Sequence, residues 1–462
     1  MYQRAPYTFL LLSFYFAACV KDEPIELAFD TYGGIKNIAF ESTGFFRVER
    51  QGQRAWLVTP DGHAFFSAGV NAVGPKSSYA PAEERYPYGE TVTEKYENEE
   101  AWADVTAERL KSWGVNTLGA WSQHELFLGK IPYAPNLKLA DADWLTGETA
   151  DYFSSAWEDH VRTQVETIVT PLVDDPYVVG YFTDNELRWT RDWRVLEDEL
   201  FDDYMALDKT AAGKTALMDF LRERYDDDIG VLNQTWDAAL ESFAALEDLD
   251  KAPAGDKDAL LIDKRAFLKV VARRYFSFTS QAIKAVDPNH LNMGCRFVSA
   301  LSALEVVEAA GEYLDVMSVN NYVFKEGVTD ITEDLFGPLV ESTDFLQKFA
   351  GAAKLPILVS EYGFRAADSG LPNTYPLIYP TYDTQTDRAD AFESYAREGF
   401  AKPYVVGLHW FRFVDQPATG RFDGEDNNFG LVDITDEPYD IVTTRMRMTF
   451  DALYVEAVKS DK

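Results

Sequence analysis

The chain has 462 residues, 46% of them apolar, with 31 Phe, 25 Tyr and 10 Trp. That is enough to fill one large barrel with insertions, or two modest domains. Its formal net charge of −34 argues against nucleic acid or an anionic membrane surface as a partner and disfavours a highly sulfated substrate.

The first segment, Met1 to Ala18, carries Arg4, then an apolar stretch from Tyr7 to Phe16, then Phe16-Ala17-Ala18-Cys19. This is the pattern of a secretory signal peptide, and it is too short to span a membrane. Small residues directly before a cysteine resemble a bacterial lipoprotein signal, in which Cys19 becomes the acylated first residue. Lys21-Asp22-Glu23 resembles an acidic export tag of surface lipoproteins. The expectation is an exported lipoprotein on the outer membrane of a Gram-negative bacterium, touching the membrane only through its lipid. Residues 19–44 read as a polar tether. The other cysteine, Cys295, lies in the apolar run Leu291 to Phe297 and reads as a buried, inert thiol. The five histidines are scattered and no Cys/His cluster has metal-ligand spacing, so neither a metal nor a cofactor is expected.

A hairpin follows. Phe46 to Arg50 and Ala55 to Thr59 flank a Gln51-Gly52-Gln53 turn, and Pro60-Asp61-Gly62 turns the chain again. Eight apolar runs then read as strands: Ala64–Asn71, Val115–Trp121, Ile131–Ala134, Val178–Glu186, Leu291–Phe297, Val316–Tyr322, Ile357–Glu361 and Val405–Phe413. Helical patterns lie between them, among them Glu100–Trp113, Trp157–Thr170, Ala266–Val286 and Thr386–Ala401. Alternation of strand and helix over this length predicts an α/β fold, a (β/α)8 TIM barrel, as a single domain over residues 45–455. The long, acidic interval of about residues 190–264 is expected to be a helical insertion after strand four, over the catalytic face.

Two of these strands end in a carboxylate. Val178-Val179-Gly180-Tyr181-Phe182 delivers Asn185-Glu186, and Ile357-Leu358-Val359-Ser360 delivers Glu361. In a parallel barrel the C-terminal strand ends carry the chemistry. Two glutamates there form the pair that retaining glycoside hydrolysis needs, one as acid and base, the other as nucleophile, about 5–5.5 Å apart. Other strand ends carry sugar-binding chemistry: Asn71, Trp121, Asn320-Asn321-Tyr322, and His409 with Trp410. Tyr181, Trp189 and Trp193 flank Glu186 as candidate stacking rings, and the polar loop Asp415 to Asn428 adds Asp423 and Glu425.

At these residues the chain resembles a clan A glycoside hydrolase, with Asn185-Glu186 ending strand four and Glu361 ending strand seven. Within the clan it is most similar to the β-agarases of glycoside hydrolase family 50. The stretches that carry this are Trp56 to Ser67, Asp184-Asn185-Glu186-Leu187, and His409-Trp410-Phe411 leading into Asp423-Gly424-Glu425. Phe220 to Tyr225 and Asn233 to Trp236 also resemble family 42 β-galactosidases. The resemblance implies that Glu361 is the nucleophile and Glu186 the acid and base. Asn185 would hold a sugar 2-hydroxyl, Tyr322 would orient Glu361, and Trp410 would floor a subsite. Family 50 agarases usually carry an N-terminal β-sandwich that helps shape the cleft, whereas here only the short tether precedes the hairpin.

The function implied is a retaining β-glycosidase acting on a β-linked polysaccharide or its oligosaccharides, with agarose-type galactan preferred. A β-1,3-glucan or a simple β-galactoside is the alternative substrate. From another class, a non-catalytic surface glycan-binding lipoprotein is the competing expectation, and the presence of both glutamates stands against it.

Overall fold

The computed structural model describes residues 25–196, 199–299, 301–325 and 342–461. The expected signal segment, Cys19 and the start of the tether lie outside the described residues.

The apolar runs form a ring of parallel strands. One arc runs in the order Thr117–Leu118, Ser67–Val70, Val405–Trp410, Ile357–Tyr362, Met317–Asn320 and Phe297–Val298. The other arc closes it. Tyr133 bridges Leu118 on one side and Val178 on the other, and Gly180–Phe182 pairs with Leu291–Gly294. The amide of Asp315 then donates to the carbonyl of Asn292, leading back to strand six. Strands seven and eight are buried at every position, as expected when helices cover a parallel sheet outside and side chains fill it inside. The expected strand Ile131–Ala134 is reduced to the bridges at Tyr133. The expected strand Ala64–Asn71 is two elements: His63–Phe65 belongs to an antiparallel sheet and only Ser67–Val70 to the barrel.

That antiparallel sheet closes the bottom of the barrel. Its order is Ile35–Ala39, His63–Phe65, Arg54–Val58, Arg47–Gln51, so the expected hairpin is present and gains two further strands. Residues 35–39, expected as tether, are its edge strand. Ile35 and Ile38 are buried, and Asp30 fastens the approach: its carboxylate accepts from the Tyr32 and Gly34 amides and from the Thr59 hydroxyl. Short acidic and glycine residues give this stretch the look of a linker, yet they build the turn. Gly62 sits at φ +86, and a Cβ there would stand 2.6 Å from the Phe40 carbonyl oxygen, so the Asp61-Gly62 corner needs glycine. Phe46, Leu57 and Phe65 from this sheet pack in one cluster with Val179, Met293, Val316, Leu358 and Val406 of the barrel interior. The lower barrel is therefore an apolar plug, and the polar strand ends collect at the other rim.

The interval after strand four is helical, as expected. It contains Leu200–Ala206, Ala212–Arg224, Ile229–Trp236 and Phe243–Glu247. Its expected end near residue 264 is no boundary, because one helix runs without a break from Lys257 to Val286. The insertion and the helix before strand five share this rod. Asp256 caps its start, accepting from the amides of Asp258 and Ala259. Asp263, buried on the rod, accepts from Trp236 Nε1 at 2.6 Å and from the Tyr225 hydroxyl and Arg224. Asp263→Ala strands two buried donors, so it should lower unfolding free energy by about 2–3 kcal/mol, read as a shifted urea midpoint. A change below about 0.5 kcal/mol would mean that the insertion is not anchored through this carboxylate.

Candidate active site

Strand four ends where the backbone leaves the ladder. The Thr183 amide still donates to Gly294, but Glu186 donates to the carbonyls of Cys295 and Arg296 and takes φ +49. Between them Asp184 is buried and accepts from the Ala140 amide at 3.0 Å and from the Tyr275 hydroxyl. Burial pushes its carboxyl up to about 7, against the pull of those donors. This contact ties the loop after Ala140, which carries Trp144, to the end of strand four. Trp144 Nε1 then donates to Glu186 Oε2 at 3.0 Å, and Asn320 Nδ2 to Oε1 at 2.9 Å. Arg194 Nη2 holds the Glu186 carbonyl at 2.9 Å. Burial, and next the charge of Glu361, raise the Glu186 carboxyl above its ordinary range.

Glu361 is surrounded by donors. Arg296 Nη2 reaches Oε1 at 2.6 Å, Tyr322 donates to Oε2 at 2.9 Å, and Trp121 Nε1 lies 3.3 Å from Oε1. Every one of these partners donates, which suits an ionised carboxylate, an acceptor only. Arg296 also donates to Asn185 Oδ1 at 2.9 Å and to the Ser360 carbonyl at 3.1 Å. The Tyr322 hydroxyl is pushed up by burial and by the charge of Glu361, so it stays a donor. Its ring is stacked on Tyr379, centroids 4.8 Å apart. Trp121, Glu186 and Arg296 all have positive φ, +65, +49 and +52, a conformation that costs non-glycine residues of the order of 1–2 kcal/mol each. Such strain gathered at one rim marks a functional centre more than a folding need.

Of the residues singled out in the sequence, Glu186, Glu361, Asn185, Trp121, Asn320 and Tyr322 come together here, and Trp193 stands 6.2 Å from Trp144. Six do not. Tyr181 is buried, its hydroxyl donating to Asp287. Trp189 is packed against Tyr275 and Phe276, because its place in the chain turns it into the helix layer. Trp410 is wholly buried among Tyr362, Phe364 and Phe392, with Nε1 donating to the Phe429 carbonyl. It is core and floors nothing; Phe411 is the ring that turns toward Tyr322. His409 points into the barrel, bonded to the Ser67 hydroxyl. Burial first, and then Arg296, lower its pKa to about 3, so it is neutral. Asn71 is also interior; its Nδ2 donates to the Ser360 carbonyl at 2.9 Å and braces the strand that bears Glu361. Asn321 faces outward to the Tyr395 hydroxyl.

In the loop after strand eight, Asp423 pairs with Arg421. Glu425 takes Gln416 and lies 3.4 Å from Arg421. Burial pushes Glu425 up to about 7 although Arg421 opposes it. Both acids have partners within the loop, and the charge of Glu361 adds to the rise at Glu425. Cys295 is buried and its thiol pushed well up by burial, as expected for an inert thiol. Among the described residues no group of three His, Cys, Asp or Glu side chains could hold a metal ion.

Arg296 joins the site without having been singled out in the sequence, although it carries a signal there. Arg296 ends the apolar run of strand five by the same rule that gives Glu361. Side chains alternate along a strand, so the residue sharing a face with Tyr322 is Asn320, not Asn321. Trp144, Arg194 and Tyr379 lie in loops without periodicity, and nothing local marks them.

Comparison with known proteins agrees with this frame. The family profile described as beta-galactosidase, glycoside hydrolase family 42, matches residues 144–361. Beta-agarase B of Vibrio sp. (strain JT0107) is 27% identical over 88% of this chain and 48% of its own length. Beta-agarase A of the same strain is 30% identical over 78% of this chain and 37% of its own. The chain thus spans about half or less of the length of these curated relatives. A crystal structure of an agarase, AgWH50C, superposes with TM-score 0.78 at 25% identity, over 94% of this chain and 68% of that one. An exo-beta-agarase matches in fold with TM-score 0.78 at 22% identity, over 93% and 68%. The chain is a relative of the β-agarases of glycoside hydrolase family 50, built on the clan A (β/α)8 barrel and sharing a segment with the family 42 β-galactosidases.

Proposed function

We propose that the protein is a retaining β-glycoside hydrolase acting on β-linked galactan of the agarose type. The observation that carries this is the unlike setting of two neighbouring carboxylates. Glu361 accepts from an arginine, a tyrosine and a tryptophan, whereas Glu186 is raised by burial and by Glu361. One is prepared to be charged and the other to hold a proton, the division that glycoside hydrolysis requires. Glu361 attacks the anomeric carbon as the bond to the leaving oxygen breaks and Glu186 gives that oxygen its proton. Glu186 then takes a proton from water, which attacks the glycosyl-enzyme ester and frees Glu361. The agarase relatives support galactan as substrate. The family 42 match over residues 144–361 favours a short β-galactoside as the second reading.

Export as a lipoprotein anchored through Cys19 belongs to the same proposal. It rests on Arg4, the apolar stretch and Ala17-Ala18-Cys19.

Glu361→Ala should cut kcat on an aryl β-galactoside by roughly 10⁴-fold or more. Azide should restore turnover and give the α-glycosyl azide. Rescue of Glu186→Ala to the α-azide instead would exchange the two roles.

The pH profile of kcat/KM should be a bell whose basic limb belongs to the coupled pair. Asn320 donates to Glu186 and favours its charged form. Asn320→Ala should therefore let Glu186 keep its proton to higher pH and move the basic limb up. A limb that stays or moves down would remove Glu186 from it.

Cys19→Ala should release the protein from the membrane fraction, since stable anchoring needs the added acyl chains. Membrane association unchanged by Cys19→Ala would refute the anchor.

A further inference from the structure

Tyr322 stands where the barrel ladder no longer places it. The regular part of strand six ends at Asn320, yet the Tyr322 hydroxyl meets Glu361 Oε2 at 2.9 Å. Its ring is located by other rings. Phe411 and Phe429 meet it at steep angles, 78° and 52°, with centroids 6.5 and 6.3 Å away. Tyr379 lies closer and flatter, 4.8 Å away at 24°. Phe324 is also stacked on Tyr379, 6.1 Å away at 9°. The Lys325 amide donates to the Ile378 carbonyl at 2.9 Å. The segment that carries Tyr322 and the loop that carries Tyr379 are thus tied through backbone and rings together.

Apolar packing does not hold the Tyr379 loop. The chain leaves at Arg365-Ala366 and returns at Thr381-Tyr382, which pair in parallel, and of residues 371–380 only Asn373 is buried. Arg365 holds it instead. This side chain is 1% exposed, and its guanidinium donates to neutral acceptors: the Pro376 carbonyl at 3.0 Å, the Tyr379 carbonyl at 2.9 Å, the Thr381 hydroxyl at 2.9 Å, and Asn427 Oδ1. The Asn427 amide donates in turn to the Tyr375 carbonyl at 2.6 Å. A buried charge served by neutral dipoles is a costly anchor, and serving this set takes the planar fork of arginine, not the point charge of lysine. Tyr379 brings no charge of its own, since burial, then Glu186, Glu425 and Glu361, push its hydroxyl well up. We infer that Arg365 and Tyr379 are positioning residues for the nucleophile: Arg365 sets the loop, the Tyr379 ring sets Tyr322, and Tyr322 sets Glu361. The kinetic consequence rests on the proposed hydrolase reading; the contact between the two segments does not. Acting through Tyr322, the pair serves the chemical step and not ground-state binding.

Two substrates on the full-length protein test this, β-galactosyl fluoride and an agarose-derived tetrasaccharide. Tyr379→Leu and Arg365→Lys should each lower kcat on both by roughly tenfold, the range of one hydrogen bond to a charged group. KM should stay within about twofold. Tyr379→Phe keeps the ring and should recover most of the loss. In a Tyr322→Phe background, Tyr379→Leu should cost less than about twofold more, because the hydroxyl through which it acts is gone. A loss confined to the tetrasaccharide, a rise in KM without a fall in kcat, or full additivity with Tyr322→Phe would overturn the positioning role. A second measurement needs no turnover. In protein labelled with fluorotyrosine, the Tyr322 fluorine resonance is identified by its loss in Tyr322→Phe. It should shift in Arg365→Lys, which leaves every ring in the chain; an unmoved line would overturn the link from Arg365 to Tyr322. Wild-type protein that turns over neither substrate, with the Tyr322 line still shifting in Arg365→Lys, would overturn the hydrolase reading and keep that link.

Discussion

The site depends on one buried ion pair. Arg296 has no exposed surface, and moving a guanidinium out of water costs several kcal/mol even after relaxation. Glu361 offsets that cost with a charge at 2.6 Å, and Asn185 and the Ser360 carbonyl take further hydrogens of the fork. The Arg296 amide meanwhile donates to Ser318 Oγ. The ends of strands four, five, six and seven are therefore fixed through one residue. Removing either member would leave the other buried and uncompensated, so the pair constrains the rim in a way that no single apolar contact could. The positive φ of Arg296 is held in place by these same bonds.

The polarity of the barrel follows from where such pairs can exist. At the lower end, phenylalanine and leucine from the antiparallel sheet fill the interior and exclude water. At the upper end the same interior positions hold Asn71, His409 and Arg296, each bonded to another strand. His409, held neutral by burial, can brace Ser67 without adding a second charge beside Arg296. The remaining charge at the rim is carried by carboxylates and arginines, and the pH response falls to the acids.

Strand existence, strand order and the two glutamates are legible in the sequence because an apolar run that ends abruptly in a polar residue is what a parallel barrel strand must look like. Its body is buried on both faces, and only its C-terminal end meets water. The edge strand Ile35–Ala39 is hidden since only two of its five residues are buried, too few to raise the local hydropathy. Trp189 and Trp410 mislead for a different reason. An aromatic ring suits a core and a sugar platform equally well, and only the direction of the side chain separates them. Trp410 alternates outward to the helix layer, while Trp144, from a loop without pattern, supplies the ring beside Glu186. The acidic loop after strand eight has the look of free ligand chemistry, but Arg421 and Gln416 claim its carboxylates.

The rod from Lys257 to Val286 is 30 residues long, about 45 Å at 1.5 Å per residue. Its first third packs under the insertion through Asp263 and Lys264, and its last part leads into strand five, whose end is Arg296. The insertion is consequently not a cassette. A relative could gain or lose the short helices ahead of it, but an exchange that cut inside the rod would change the phase of the strand-five approach by about 100° for every residue added or removed. Exchange of the whole insertion would keep the strand-five approach in phase only when the rod travels with it.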